Sequence, residues 1–584
     1  MPFQVSPGVN VSEIDLTTIV PAVATSLAGI AGHFEWGPAN EVVLIDTPKT
    51  FREIFGELKS WNYEEYMTTL NFLGYSRGIQ VVRTTKKGSA SNANSAGLTE
   101  GASDEGAYAP NDEVDLTNKD GGFYARYLGQ KGNSLGISIS SNSVTAGSGW
   151  DEWNTFGRQP QSTDNIVNLA GEETFDQVHI AVIDSGGLFT GTKGDVLERY
   201  EGVSLHPKAK NLNGTSNFFK NVINERSQYV KCGGELEGFD LETSAGYTAF
   251  FDDMGLTSPS NVEDDFVFKW GSSEYYKTIQ LSGGTGQTAG DLFGADTGYN
   301  LFSDVESTDV NLLLGGGINS PEDLLAIKQI AEDRKDCVAF VSCDVGKGGV
   351  GVNDTDSAKA QKCIDFKAKI GSSSYVVVDS GYKKQFDPYN QVFRWVPFNG
   401  DVAGLCARTE YNSDAWVSPG GYTKGLMANA EALAFNPNRT YRDRIYPKGI
   451  NPVIRERDSG ILLLGDKTAL SKPSAFDRIN VRRLFIVLEK AIATASKFSL
   501  FEFNDEFTRS GFVSLVTPFL SDVKSRRGII DFKVVCDDSN NTPERIDRNE
   551  FWADIYVKPN RSINYIQLNF IATRTGGSFN EIGA

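Results

Sequence analysis

The sequence predicts a multidomain protein of mixed α/β and α+β class, with a mixed-sheet core built from the middle and C-terminal regions. We also expect extended N- and C-terminal arms and a β-rich inserted region. The 584 residues exceed the usual size of one domain, so several domains are expected. A strand–helix–strand order after Val310 indicates a parallel or mixed sheet. Alternation of apolar and polar residues near each end of the chain indicates terminal strands.

The composition is that of a folded protein and limits its partners. Hydrophobic residues make up 40% and charged residues 22% of the chain, which is normal for globular domains. The net charge of −19 disfavours direct nucleic-acid binding, because an acidic surface repels phosphates. The N-terminal segment lacks a signal-peptide pattern, and no segment approaches the roughly 20 apolar residues that a membrane span needs. We therefore expect no membrane insertion.

The first two predicted segments are an N-terminal extended arm, 1–20, and the first part of a middle α/β domain, 21–87. In the arm, Val9, Val11 and Ile14 alternate weakly with polar residues after a Ser-Pro-Gly turn signal. The second segment mixes predicted strands and helices, which are strand 42–45, helix 50–55, helix 63–73 and strand 79–82.

The next two segments are a polar surface insertion, 88–122, and a β-rich remainder of the middle domain, 123–300. The insertion is dominated by Ser, Asn, Asp and Gly, a composition typical of boundaries and surface insertions. In the β-rich segment, apolar runs such as 178–183 alternate with Gly- and Asp-rich turns, so strands are expected.

The segment 301–470 is predicted to form an α/β core domain. An apolar run ends at Leu314 and leads into Gly315–Gly317, and Ser320 is then a suitable N-cap with Pro321 at the first helical position. This pattern predicts a helix to about Arg334, followed by strands 337–342 and 375–378.

The last segment, 471–584, is predicted to be a C-terminal domain that ends in a linking strand. Apolar residues at helical spacing predict a largely buried helix over 476–498. Strands are expected at 528–535 and 551–557. Clean alternation over 563–571 then places Ile566, Leu568 and Phe570 on one face of a final strand.

Three groups of residues are of types that can support chemistry, and none predicts a catalytic, cofactor or metal site. The three histidines are scattered, and His179 lies in a strand pattern that favours a structural role. The six cysteines include no C-x-x-C pair and are expected to be buried thiols of a protein made in a reducing cytosol. The stretch Asp344–Gly351 resembles a phosphate-binding loop, but no Lys-Ser/Thr pair closes the motif and no helix pattern follows. We interpret it as a flexible loop.

The terminal strands offer two alternatives that the residues alone leave open. Each strand could complete the sheet of its own domain. Alternatively, it could leave that domain and pair with the sheet edge of a neighbouring copy, which propagates into an open polymer. The candidate inter-subunit strand arms are then Val9, Val11, Ile14, Ile566, Leu568 and Phe570.

Several long stretches resemble the sheath proteins of contractile phage tails, in the style of large myovirus sheaths. They lie mainly in the predicted C-terminal domain, with others in the core domain and at the start of the chain. The matching stretches are 6–9, 393–397, 404–409, 472–490, 501–509, 547–551 and 558–566.

The resemblance implies a structural protein and not an enzyme. It implies a homo-oligomer of stacked hexameric rings that contracts around a tail tube and drives it through the host envelope for genome delivery. The other implied partners are the baseplate and the tail terminator or neck proteins, and the implied location is the virion after assembly in the host cytoplasm. The alternative is the sheath of a phage-derived contractile injection system or tailocin. Two rival classes are a nucleotide-driven motor that uses Lys347 and a phage adhesin that uses the 88–122 insertion.

Overall fold

The structure is a computed structural model, and its described residues divide into two compact units. The larger unit spans 25–408 and 420–472, and the smaller one spans 409–419 and continues from 473. The described residues are 25–84, 122–142, 144–147, 149–164, 175–233, 276–284, 292–294, 297–564 and 567. The predicted polar insertion therefore lies almost wholly outside them.

A seven-stranded mixed sheet forms the centre of the larger unit. Its strands are β1 (Ala28–Gly32), β2 (Val42–Ile45), β3 (Ile79–Arg83), β10 (Leu312–Leu314), β11 (Val338–Ser342), β12 (Val376–Asp379) and β16 (Ile450–Asn451). Their order is β16-β12-β11-β10-β1-β3-β2, and all neighbours are parallel except β2 and β3. The mixed-sheet prediction is confirmed. Strands from the predicted 21–87 and 301–470 segments lie in this one sheet.

Six described helices belong to the part of the larger unit around this sheet, and four of them begin at a residue whose side chain caps the helix. They are α1 (Pro48–Phe55), α2 (Tyr63–Leu73), α5 (Pro321–Arg334), α6 (Asp356–Ile370), α7 (Asn399–Asn412) and α8 (Arg439–Ile445). The Ser320 hydroxyl accepts a hydrogen bond from the Asp323 amide, so the predicted N-cap is confirmed. The expectation that no helix follows the Lys347 loop is wrong, because α6 starts soon after it with Thr355 as N-cap. None of the described helices has the length and apolar character of a membrane span.

The β-rich part of the larger unit has its own hydrophobic core. It contains β4 (Gly122–Ala125), β5 (Leu135–Ser140), α3 (Trp153–Phe156), β6 (Gln177–Asp184), β7 (Asp195–Ser204), α4 (Phe219–Arg226), β8 (Val230–Gly233) and β9 (Tyr276–Gln280). Four of these strands form an antiparallel sheet of order β7-β6-β5-β9, while β4 pairs with β8. Alternating apolar residues such as Ile137 and Val182 bury one face of that sheet.

Two small antiparallel sheets complete the larger unit. Strands β13 (Tyr382–Asp387), β14 (Val392–Pro397) and β15 (Ala432–Leu433) form the first, and β17 (Val453–Glu456) and β18 (Gly460–Leu463) form the second.

The smaller unit packs two long helices on a two-stranded sheet. Its elements are α9 (Ile479–Ser496), α10 (Glu506–Ser525), β19 (Ile529–Val535), α11 (Pro543–Asp547) and β20 (Asp554–Pro559). Leu484, Val516 and Ile529 belong to one buried cluster, which shows that both helices and the sheet share a core. Trp416, from the segment 409–419, completes that cluster. Helix α10 was not anticipated from the sequence.

Candidate assembly interface

Two glycine-rich turns, 315–317 and 346–351, follow the neighbouring strands β10 and β11 of the seven-stranded sheet. Lys347 lies in the second turn and contacts the first. Its ammonium group donates to the carbonyl oxygen of Gly317 and lies 3.3 Å from the Glu64 carboxylate of α2. A phosphate-binding lysine must be available to its anion. Lys347 is instead engaged by the protein's own carboxylate, in a short 3₁₀ turn.

The glycine at 317 permits the close approach of helix α2. A Cβ atom at Gly317 would collide with the carboxylate of Glu64. Burial raises the pKa of Glu64, although Lys347 opposes that shift, and burial raises the pKa of Glu65 to about 7. Two carboxyl groups therefore lie against these turns, an arrangement that disfavours a bound phosphate.

A second polar cluster lies at the carboxyl end of β12 and is buried. The Lys383 ammonium is 2.9 Å from Asp401 Oδ1, and both side chains are 0–1% exposed. The hydroxyl of Tyr75 donates to the same oxygen at 3.0 Å, and Ser342 donates to Asp379 at 2.7 Å. Burial raises the pKa values of both aspartates. These partners join β11, β13 and α7, so the cluster has a structural role.

His179 makes contacts that suit a structural residue. Its Nδ1 atom accepts a hydrogen bond from the Gly202 amide, and its Nε2 atom lies 3.0 Å from the Arg158 carbonyl oxygen. Burial lowers its pKa, and the ring stacks on Phe156 at 4.6 Å. All six cysteines are buried free thiols, as expected. Across the described part of the chain, no cluster of His, Cys, Asp or Glu could hold a metal ion.

The sheet of the smaller unit has two open edges among the described residues. Strands β19 and β20 pair only with each other, in antiparallel register with Phe532 opposite Val557 and Val534 opposite Ile555. These four side chains pack on the helices and keep one face of the sheet partly buried. A two-stranded sheet is stable here because it lies on that core, while its outer backbone groups can accept further strands.

The predicted arm residues lie outside the described part of the chain. This holds for Val9, Val11, Ile14, Ile566, Leu568 and Phe570. Strand β20 ends at Pro559, shortly before the predicted final strand.

Sequence reasoning missed a loop between α9 and α10 that exposes several aromatic side chains. Phe501 and Phe503 are 106% and 85% exposed. The signal was present, because four phenylalanines occur within residues 498–507 without the spacing of a buried helix face.

Comparison with known proteins assigns the family. Residues 471–573 match the family model described as the phage tail sheath C-terminal domain. The chain is 32% identical to the tail sheath protein of Vibrio phage KVP40 and 33% identical to that of Enterobacteria phage T4, with 99% of each chain covered. In fold, a sheath tail protein from Listeria innocua matches with a TM-score of 0.51 and 12% identity, over 92% of this chain and 96% of that one. The chain therefore belongs to the family of phage tail sheath proteins.

Proposed function

We propose that this chain is the subunit of a contractile phage tail sheath. It polymerises as stacked hexameric rings around a tail tube and shortens to drive the tube through the host envelope. The observation that carries this proposal is the similarity to two tail sheath proteins over 99% of the chain. The proposed partners are further copies of the chain, the tube protein, the baseplate and the terminator or neck proteins, all in the virion.

The open edges of the β19–β20 sheet are the proposed receiving sites for arms from neighbouring copies. Each of the two arms would extend this sheet by one strand. The N-terminal arm contains Val9, Val11 and Ile14, and the C-terminal arm contains Ile566, Leu568 and Phe570. Each added backbone hydrogen bond contributes about 0.5–1.5 kcal/mol net, so a strand making about five bonds contributes several kcal/mol. Such a link connects copies through backbone groups and permits the folded units to reorient.

Contraction then needs two packings of the same folded subunit that differ in free energy. New contact between copies supplies that difference, so no nucleotide is required. The engagement of Lys347 by Glu64 supports this part of the proposal.

Negative-stain microscopy of the purified, concentrated protein tests the proposal, and tubes or rings are expected. Deletion through Asp15, or Leu568→Pro, should leave soluble protein that forms no ordered tubes, because each change removes a strand from the shared sheet. Circular dichroism and thermal melting report folding, and sedimentation reports assembly.

A matched control replaces the 88–122 insertion with a short Gly-Ser linker and should still build tubes. An N-terminally truncated protein that melts normally and still builds long, contracting tubes would contradict the role of that arm.

A further inference from the structure

An exposed aromatic loop, residues 497–507, joins α9 to α10 in the smaller unit. The exposed fractions of its large apolar side chains are 73% for Phe498, 64% for Leu500, 106% for Phe501, 85% for Phe503 and 86% for Phe507. The four phenyl groups alone present on the order of 700 Å² of apolar surface. Monomeric proteins usually leave patches of only about 300–600 Å² uncovered. A stable interface buries about 800 Å² on each partner, so the loop approaches the size of a specific contact.

Side-chain hydrogen bonds fix the backbone of the aromatic loop. Asn504 Nδ2 donates to the carbonyl oxygen of Glu550 at 2.8 Å, and Asp505 caps α10 by accepting from the Thr508 amide at 2.8 Å. Phe501 has φ +70°, a conformation that costs a non-glycine residue energy and that is concentrated at binding sites. The rings therefore project from an ordered turn.

The charge of the aromatic loop restricts what can cover it. Glu502, Asp505 and Glu506 are exposed, against one exposed cation, Lys497. A partner surface should therefore be apolar and should carry positive charge near its apolar centre.

The tip of the β13–β14 hairpin, with Arg52 beside it, has this chemistry, and we call it the basic hairpin. Its exposed apolar side chains are Phe386 at 47%, Tyr389 at 47%, Val392 at 42% and Phe393 at 50%. The Lys384 ammonium lies 4.6 Å from the ring centroid of Phe393, and the Arg52 guanidinium lies 5.2 Å from that of Tyr389. Phe386 and Phe393 pair across the strands with centroids 5.2 Å apart.

The basic hairpin is also held in a defined shape. The Asp387 carboxylate accepts hydrogen bonds from the Tyr389 amide at 3.0 Å and from the Arg394 guanidinium at 2.8 Å. Two ordered aromatic surfaces thus occur on one chain. One is acidic, and the other carries the cations Lys384 and Arg52, of which Arg52 is also paired with Glu57 at 3.7 Å.

We propose that the aromatic loop of one copy docks on the basic hairpin of the next copy, an inference that rests on the proposed sheath function. Because the two surfaces differ, the contact is heterologous and repeats in one direction, which generates an open helical polymer. Clustered aromatic side chains beside a guanidinium are typical of contacts that carry much of the binding energy.

Two variants isolate this contact. The loop variant carries Phe501→Ser and Phe503→Ser, and the hairpin variant carries Phe386→Ser and Phe393→Ser. Phe501 and Phe503 are 106% and 85% exposed, so the loop variant should melt like the unmodified chain. The hairpin variant loses the half-exposed cross-strand pair of Phe386 and Phe393 and should melt at a slightly lower temperature while staying folded. By sedimentation, each variant alone should lose at least tenfold in self-association. Their equimolar mixture should form additional 1:1 complexes, because each still offers the surface that the other lacks.

A charge exchange gives an independent measurement. Glu502→Lys with Glu506→Lys should abolish tubes, and adding Arg52→Glu with Lys384→Glu to the same chain should restore them. Leu212→Ser removes an apolar side chain that is 95% exposed elsewhere and is the matched control, with no effect on tubes expected.

The outcomes separate the docking contact from the proposed function. If the unmodified chain builds tubes and the loop variant builds them equally well, the docking inference is wrong. The same holds if the loop variant builds normal tubes but no longer binds the tube protein. If the unmodified chain builds no tubes while the mixed variants still pair, the docking contact stands and the sheath function fails.

Discussion

Replacing Lys347 with methionine separates a structural role of this lysine from a nucleotide-binding role. In the structure its ammonium group lies 3.3 Å from the Glu64 carboxylate, with side chains that are 32% and 11% exposed. At that separation the attraction is about 5 kcal/mol for an effective dielectric constant of about 20. Desolvation and the water that reaches Lys347 offset much of this attraction. We therefore expect Lys347→Met to lower the free energy of unfolding by about 1–3 kcal/mol.

Denaturant unfolding followed by tryptophan fluorescence measures this loss. Adding Glu64→Gln to the Lys347→Met protein should recover part of it, since the uncompensated buried carboxylate is gone. The surface pair of Lys49 and Glu53, 3.6 Å apart with side chains 85% and 62% exposed, provides a matched control. Lys49→Met should change the unfolding free energy by no more than about 0.5 kcal/mol.

The nucleotide-motor hypothesis predicts a different result. Magnesium-ATP at about 100 times its dissociation constant would raise the free energy of unfolding of a binding protein by about 2.7 kcal/mol. We expect no such gain at millimolar ATP. A gain of that size in the unmodified chain, lost in Lys347→Met, would refute the structural role that we assign to this residue.

Three further changes test the interior of the larger unit. Lys383→Met should cost about 3–5 kcal/mol in urea unfolding, because the buried Asp401 carboxylate keeps its hydrogen bond from Tyr75 but loses its countercharge. Asp401→Leu in the same chain should recover most of this cost, and costs that simply add would contradict this. Burial raises the pKa of Glu65 to about 7 from 4.5, so the folded state binds an extra proton between these values. The free energy of unfolding should therefore fall as pH rises from 5 to 7, by up to about 1.4 kcal/mol per pH unit. Glu65→Gln should remove that dependence. Arg83→Leu should lower thermal stability by about 3 kcal/mol or more, because the fully buried guanidinium donates to four backbone carbonyl oxygens; an unchanged melting temperature would contradict this.

Elements with local capping signals were the most predictable from the sequence. Helix α5 follows Ser320 and Pro321 and ends at Arg334, as its capping residues indicate. Strand β2 also matches its predicted bounds. In these segments, the residues that determine the structure are adjacent in sequence, so no knowledge of the tertiary fold is needed.

Helix α10 could not be inferred in the same way, because Pro518 lies in its interior. Proline removes an intrahelical hydrogen bond and normally ends a helix. Here Pro518 is exposed, whereas Phe512, Val516 and Leu520 are buried four residues apart. Packing of that face outweighs the local cost. Helix α6, in contrast, does have a local signal, which is the Thr355 N-cap shortly after the glycine-rich loop.

The candidate sites also differ in whether local sequence or tertiary packing determines them. A broken motif was sufficient to reject a phosphate loop at Lys347, but its partner Glu64 is distant in sequence and needed the fold. The role of the arm residues remains a prediction. Alternation indicates a strand, but it does not identify the strand with which it pairs. The aromatic loop needed both kinds of information. Its phenylalanines lack the spacing of a buried helix face, but their exposure depends on how α9 and α10 pack.

Buried charges and uncovered surfaces occur in different parts of this subunit, and both bear on how a sheath shortens. Buried charges such as Arg83 and the Lys383–Asp401 pair lie in the larger unit, where removal of either partner is costly, so its interior favours one conformation. The smaller unit also buries arginines such as Arg483, but its described residues include two open strand edges and an uncovered aromatic loop. Free energy released when copies repack must therefore come from surfaces and shared strands. A rigid interior transmits that change as motion, which is what shortening a sheath requires.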